Sequence, residues 1–206
     1  MTFLEHLEEL RWRILKSLIF VVIGSIISFI FMEDLLAILL RPVSLIPSKN
    51  PVQLQVLTVQ GMFIIKWTIA LVCGLIISIP ALSYQAWRFI SPALHLNERG
   101  FVLPLALGSF LSFSIGIAFG YFILIPYSLN FFSSLAYSSV ENNFSINYYF
   151  SFILWILLGS GLIFQLPVIS FLFSMIGVLT PAFMRHYRRH AIIIILVLSS
   201  FITPPD

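Results

Sequence analysis

Charge in this chain is confined to short islands, and the stretches between them are long and apolar. No Asp, Glu, Lys, Arg or His occurs from Phe101 to Phe132, nor from Tyr148 to Ile176. A soluble domain of this size needs about a quarter of its residues charged to cover its surface. Here 9% are charged and 60% hydrophobic across 206 residues, so the chain belongs in a bilayer. Strand barrels alternate apolar and polar residues, whereas runs such as Ile192-Ile193-Ile194-Ile195-Leu196-Val197 do not. The fold class expected is therefore all-α: a polytopic bundle of membrane helices.

Each crossing needs about 20 mostly apolar residues. Five apolar segments stand out, at about 14–31, 62–84, 101–132, 148–176 and 191–202, within one membrane domain covering 1–206. The third and fourth are long enough to tilt. The fifth rises only about 18 Å, which suits a half-depth helix as well as a full crossing. Lys and Arg placement sets orientation. Arg11, Arg13, Lys16, Arg88, Arg99, Arg185, Arg188 and Arg189 fall on one side, while Arg41 and Lys49 lie in loops of the other. The N-terminus is thus expected on the cytoplasmic or equivalent side. Lys66, one turn into the second segment, reads as a side chain snorkelling to the opposite interface.

The start of the chain does not resemble a cleaved signal, because Glu5, Glu8 and Glu9 share it with Arg11 and Arg13. Lone Cys73 excludes an intrachain disulfide, and a net charge of +3 gives no case for nucleic acid. Pro80, Pro104, Pro126 and Pro167 lie in or beside the spans. Each removes a backbone donor, so kinked helices and a concave face are expected. Gly108, Ser112, Gly116 and Gly120 form a small-residue stripe. It allows close helix approach, within the chain or to another subunit. An inverted repeat of the transporter kind is not evident.

The spans offer little for catalysis. Gln165 is the only strongly polar residue deep in an apolar run, and Gly159-Ser160-Gly161 has no base nearby. His186 and His190 have metal-compatible spacing, but three arginines around them repel a cation. No enzyme, metal or cofactor is expected. Polar character concentrates at residues 1–13, where Phe3, Leu7, Leu10 and Ile14 recur at helical spacing. This reads as an interfacial amphipathic helix. Glu9 with Arg13, and Glu8 with Arg11, are spaced to pair. The stretch is either a helix with exposed ion pairs or a carboxylate site for a basic ligand. Glu98 beside Arg99 adds a second carboxylate on the same side. Guanidinium meets carboxylate in a planar, often two-pronged geometry that ammonium cannot copy. Two such acids could select adjacent arginines in a peptide.

His6-Leu7-Glu8-Glu9-Leu10-Arg11-Trp12-Arg13 resembles the H-L-x-E-L-R-x-R signature of TatC, the polytopic subunit of the twin-arginine protein translocase. The resemblance continues through Arg41-Pro42 and through Tyr84-Gln85-Ala86-Trp87-Arg88-Phe89-Ile90-Ser91-Pro92-Ala93-Leu94 with Glu98-Arg99. It extends over Tyr121-Phe122-Ile123-Leu124-Ile125-Pro126, Phe164-Gln165-Leu166-Pro167-Val168 and Thr203-Pro204-Pro205-Asp206. It implies a receptor in which Glu9 and Glu98 bind the twin-arginine motif of signal peptides on folded cargo. Arg11, Pro42, Phe89 and Tyr121 match positions that shape the site. Gln165 and the Thr203 region match a contact patch for single-span TatA/TatB-type subunits in an oligomeric complex driven by the proton-motive force. The family pattern has six spans, and this chain stops where the fifth ends. Many bacterial members carry Glu at the position of Gln165, while plastid members resemble this chain. A plastid thylakoid membrane or a bacterial plasma membrane is the implied location.

Two other functions compete with this receptor: a small-solute or proton-coupled permease, and a scaffold subunit of a membrane complex. The first wants a midplane ionic site and repeat symmetry, which the sequence lacks. The second would make the surface around Glu9 and Glu98 dispensable.

Overall fold

The computed structural model describes residues 3–44, 53–93, 100–134, 143–175 and 177–202. Backbone in hydrocarbon must satisfy its own hydrogen bonds, and the apolar segments accordingly become helices. Helix α1 runs unbroken over Phe3–Ile30. Its 28 residues rise about 42 Å, more than the ~30 Å hydrocarbon core. The charged N-terminal turns therefore continue the first span and project beyond the apolar layer.

Helix α2, Met32–Ser44, follows at the far end of the bundle. Glu33 and Asp34 in its first turn and Arg41 in its last complement the helix dipole. Arg41, read from sequence as a loop residue, is thus helical. Helix α3 covers Gly61–Ile90 and carries Pro80 without interruption. Helix α4, Val102–Phe119, takes Pro104 in its first turn, where no amide is needed. It passes through a π turn at Gly120–Leu124 into α5, Ile125–Ser134. The missing amide of Pro126 accounts for the shift, and Ile125 N–H donates to Gly120 O five residues back. Helix α6, Ile146–Ile163, breaks before Pro167 and resumes as α7, Leu166–Met175. Helix α8, Pro181–His186, is capped by Thr180, whose hydroxyl accepts from Phe183 N–H at 3.3 Å. Helix α9 is Arg188–Ile202. At the far end, strand β1 (Gln53–Gln55) pairs in parallel with β2 (Asn143–Ser145), with Leu54 opposite Phe144.

Among the described residues, four helical stretches are long and apolar enough to cross a membrane: Leu4–Ile30, Gly61–Ile90, Val102–Ser134 and Ile146–Met175. The fifth predicted segment forms only the 15-residue α9, short of the ~20 residues a crossing takes. Large apolar side chains such as Val22, Ile115 and Trp155 face outward. In water such a surface would drive aggregation; in lipid it is the stable arrangement.

Small residues set the helix contacts. Gly24 and Ser25 of α1 meet Gly74 and Ser78 of α3 so closely that a Cβ at Gly74 would collide with the Ser25 backbone. Ser78 Oγ lies 2.8 Å from Phe20 O across this crossing and 2.7 Å from Gly74 O within its own helix. The predicted stripe divides in two. Gly116 and Gly120 pack on Ser160 and Gly161 of α6, whereas Gly108 faces open space.

Two buried clusters result. The larger occupies the far end and joins α2, α3, α5 and α6 through Leu39, Ile69, Ile125, Leu129, Phe150 and Ile153. The smaller lies at the N-terminal end, where Trp87 packs with Val102, Leu105, Ala106 and Leu172.

Candidate functional site

At the N-terminal end, the polar turns of α1 lie against the last turns of α3. Glu9 and Arg13 share one face of α1 because they are four residues apart. Arg13 Nε donates to Glu9 Oε1 at 2.9 Å, and Nη2 donates to the same oxygen. The third prong, Nη1, donates to Gln85 Oε1 of α3 at 3.2 Å. The pair is about four-fifths buried, with side-chain exposures of 17% and 19%, which lifts it above the near-zero worth of a fully solvated ion pair. Glu9 Oε2 is buried and accepts no hydrogen bond from the described residues. His6 Nδ1 lies 4.0 Å from it. The His6 ring stacks flat on Phe89 of α3, with centroids 4.4 Å apart and planes 13° from parallel.

The predicted residues separate into distinct places. Glu9 and Phe89 come together at this rim, linked by His6. Arg11 and Glu8 face solvent, so of the two ion pairs their spacing allows, only Glu9–Arg13 forms. Glu98 and Thr203 lie outside the described residues.

Pro42 and Tyr121 meet at the opposite end. Pro42 has no amide, which leaves the Ile38 carbonyl of α2 without its helical donor. Tyr121 Oη donates to that oxygen at 2.7 Å. One residue along, Tyr149 Oη donates to Leu39 O, also at 2.7 Å. Two tyrosines thus stitch the proline-interrupted helix to the bundle.

Gln165 sits at the break between α6 and α7 and is half-buried. Its amide donates to Ser109 O at 2.9 Å. Trp87 Nε1 donates to Ser109 Oγ at 2.7 Å. One serine of α4 therefore receives donors from α3 and from the α6–α7 break.

Sequence reasoning gave Gln85 no role. Its amide, beside Ser83 and Arg88 at the end of an otherwise apolar helix, was the available signal, but its partner is 72 positions away. Helix α2 was also overlooked. The spacing of Met32, Leu35, Leu36, Leu39, Leu40 and Val43 does signal an apolar face. His186 and His190 are exposed, and the described residues hold no cluster of three or more metal-ligating side chains.

Outward-facing apolar helices, tight small-residue crossings and a polar rim define a multi-span helical membrane protein. The family model for TatC, the Sec-independent protein translocase protein, matches residues 5–206. Among relatives, the Aquifex aeolicus protein TatC is 36% identical over 202 residues, covering 97% of this chain and 83% of that protein. The chloroplastic TATC of Oryza sativa is 35% identical over 204 residues, with 99% of this chain and 56% of that protein covered. A crystal structure of the twin-arginine translocase receptor TatC in DDM superposes with a TM-score of 0.85 at 36% identity. That match covers 98% of this chain and 89% of the crystallised one. The chain belongs to the TatC family. It is a translocase component rather than an enzyme.

Proposed function

We propose that this chain is the membrane receptor and core subunit of a twin-arginine translocase, binding twin-arginine signal peptides of folded proteins. Glu9 is the carboxylate that receives a ligand guanidinium, and Glu98 supplies the second acid. The observation that carries this reading is the buried Oε2 of Glu9 at the rim, which accepts no hydrogen bond from the described residues. A buried acceptor without a donor is unfavourable by about 1–3 kcal/mol, and a charged donor relieves that cost. Phe89 supports the same rim through its stack on His6. Pro42 and Tyr121 act at a distance by fixing the far end of the bundle. Arg11, exposed beside the site, meets the peptide's flanking residues.

In this reading α1 begins on the stromal or cytoplasmic side of a thylakoid or bacterial plasma membrane, as the Lys and Arg bias indicates. Gln165 and Thr203 contact single-span TatA/TatB-type subunits in an oligomeric complex. Gln165 can do so while its amide stays bonded to Ser109 O, because its carbonyl oxygen remains available as an acceptor.

The test is crosslinking of a twin-arginine precursor to membranes that contain the full-length protein. Glu9→Ala and Glu98→Ala should each reduce the crosslink by about tenfold, the worth of one charge-assisted hydrogen bond. A lysine-lysine precursor that crosslinks as well as the arginine pair would remove the receptor assignment.

A further inference from the structure

We propose that Arg13 and Gln85 determine how Glu9 discriminates its ligand: they neutralise its charge and leave a single oxygen for recognition. This rests on the receptor reading above and deepens it.

The Glu9–Arg13 pair is asymmetric. A carboxylate and a guanidinium commonly meet fork to fork, one N–H on each oxygen. Here Nε and Nη2 both converge on Oε1, and Oε2 receives no hydrogen bond from the described residues. The cause lies on α3. Arg13 Nη1 is drawn to Gln85 Oε1 at 3.2 Å, which turns the guanidinium plane so that its remaining donors reach only the nearer oxygen. Without Gln85 the fork is free to rotate and engage both oxygens. Gln85 therefore keeps Oε2 vacant, on the side where His6 stacks on Phe89.

Two consequences follow for an incoming cation. The Glu9–Arg13 pair has no net charge, so a point-charge ammonium gains little Coulomb attraction from it. The surviving attraction is directional, a hydrogen bond to a desolvated oxygen that a guanidinium reaches by moving the adjacent His6 ring aside. A guanidinium has five donors in a plane. It can give one to Oε2 and keep the others for neighbouring acceptors. Arg13 is thus a positioning residue whose positive charge suppresses lysine binding. It shares no bond with the ligand.

The experiment measures affinities of fluorescent synthetic signal peptides, carrying either an arginine pair or a lysine pair, for membranes containing the full-length protein. The readout is the ratio of the two affinities, which a generally weakened fold would not change selectively. Arg13→Gln restores net negative charge to Glu9, and lysine-pair binding should improve so that the ratio falls about tenfold. Gln85→Leu keeps the side-chain volume and the charge of Arg13. Arginine-pair binding should weaken about threefold as the fork closes on both oxygens, with lysine-pair binding unchanged, so that the ratio falls by the same factor. Should Arg13→Gln fail to accumulate, Gln85→Leu carries the test alone. If both variants keep the wild-type affinities and ratio while Glu9→Ala weakens arginine-pair binding, the positioning role is wrong and the receptor reading stands. If Glu9→Ala leaves arginine-pair binding unchanged, both fall together.

Discussion

The two ends of the bundle are built on opposite terms. At the far end, α2 lies against α3 and α5, fourteen of the described residues bury their side chains in one cluster, and two tyrosines donate to carbonyls of α2 at 2.7 Å. At the N-terminal end the buried cluster has five members among the described residues, and beside it a carboxylate oxygen accepts no hydrogen bond from any of them. Buried apolar area stabilises the first end, where the orphaned oxygens, Ser28 Oγ and Asn147 Oδ1, are neutral. The second leaves an oxygen of a carboxylate without a donor among the described residues, an incompleteness that a cation can answer. A recognition site requires that incompleteness, because a fully bonded acceptor has nothing left for a ligand. The α1–α3 crossing joins the two, and through it the rigid end can hold the receptive one in place.

The comparison is broken most severely at that crossing. Gly74→Leu places a side chain against the Ser25 backbone, which cannot yield as a flexible side chain would. A cost of about 3 kcal/mol or more is expected, read as loss of folded protein in thermal unfolding in detergent and loss of peptide binding together. Normal yield and stability would show that the crossing does not couple the ends.

A smaller change separates them. Tyr121→Phe removes the donor to Ile38 O and should lower stability by about 0.5–1.5 kcal/mol while weakening signal-peptide affinity less than Glu9→Ala does. In a Pro42→Ala background the restored amide serves that carbonyl, so the same substitution should cost less. Equal losses in both backgrounds, measured as unfolding midpoints in a double-mutant cycle, would refute the proline–tyrosine link.

The finest test compares two glycines of one stripe. An alanine Cβ at Gly116 would lie 2.7 Å from Ser160 O and 2.9 Å from Gly161 Cα, while at Gly108 nothing lies within 4 Å. Gly116→Ala should destabilise by about 1–2 kcal/mol. Gly108→Ala should change stability by less than about 0.5 kcal/mol. Similar effects at both positions would mean that Gly108 packs on a second chain.

Much of this architecture was legible in the residues, and what was not has a common cause. The continuity of α1 could have been anticipated, since nothing between Phe3 and Ile30 interrupts a helix and Gly24 alone is a weak former. The Glu9–Arg13 pair was readable because helical geometry alone brings residues four apart together. The π turn was not: Pro126 predicts a disturbance, and its form depends on Gly120 nestling against Ser160 of another helix. Nor could Pro42 and Tyr121 be joined, since each reads locally as an ordinary kink and an ordinary interfacial aromatic. The fifth apolar segment, whose length left a half-depth helix and a full crossing both open, forms the 15-residue α9, with side chains exposed from Arg188 to Val197.

The amino-acid order by itself determined that this is a lipid-embedded helical protein, where its crossings fall and which acids stand at their margins. Partitioning into a bilayer is a sum over neighbouring residues, so a local pattern suffices to fix it. The tertiary structure decided which polar atoms meet: Arg13 with Gln85, Tyr121 with Ile38 O, Gln165 with Ser109 O. A hydrogen bond depends on distance and direction to within fractions of an ångström and a few tens of degrees. Those are set by the rotation and crossing of whole helices around their small residues, which only the folded arrangement specifies.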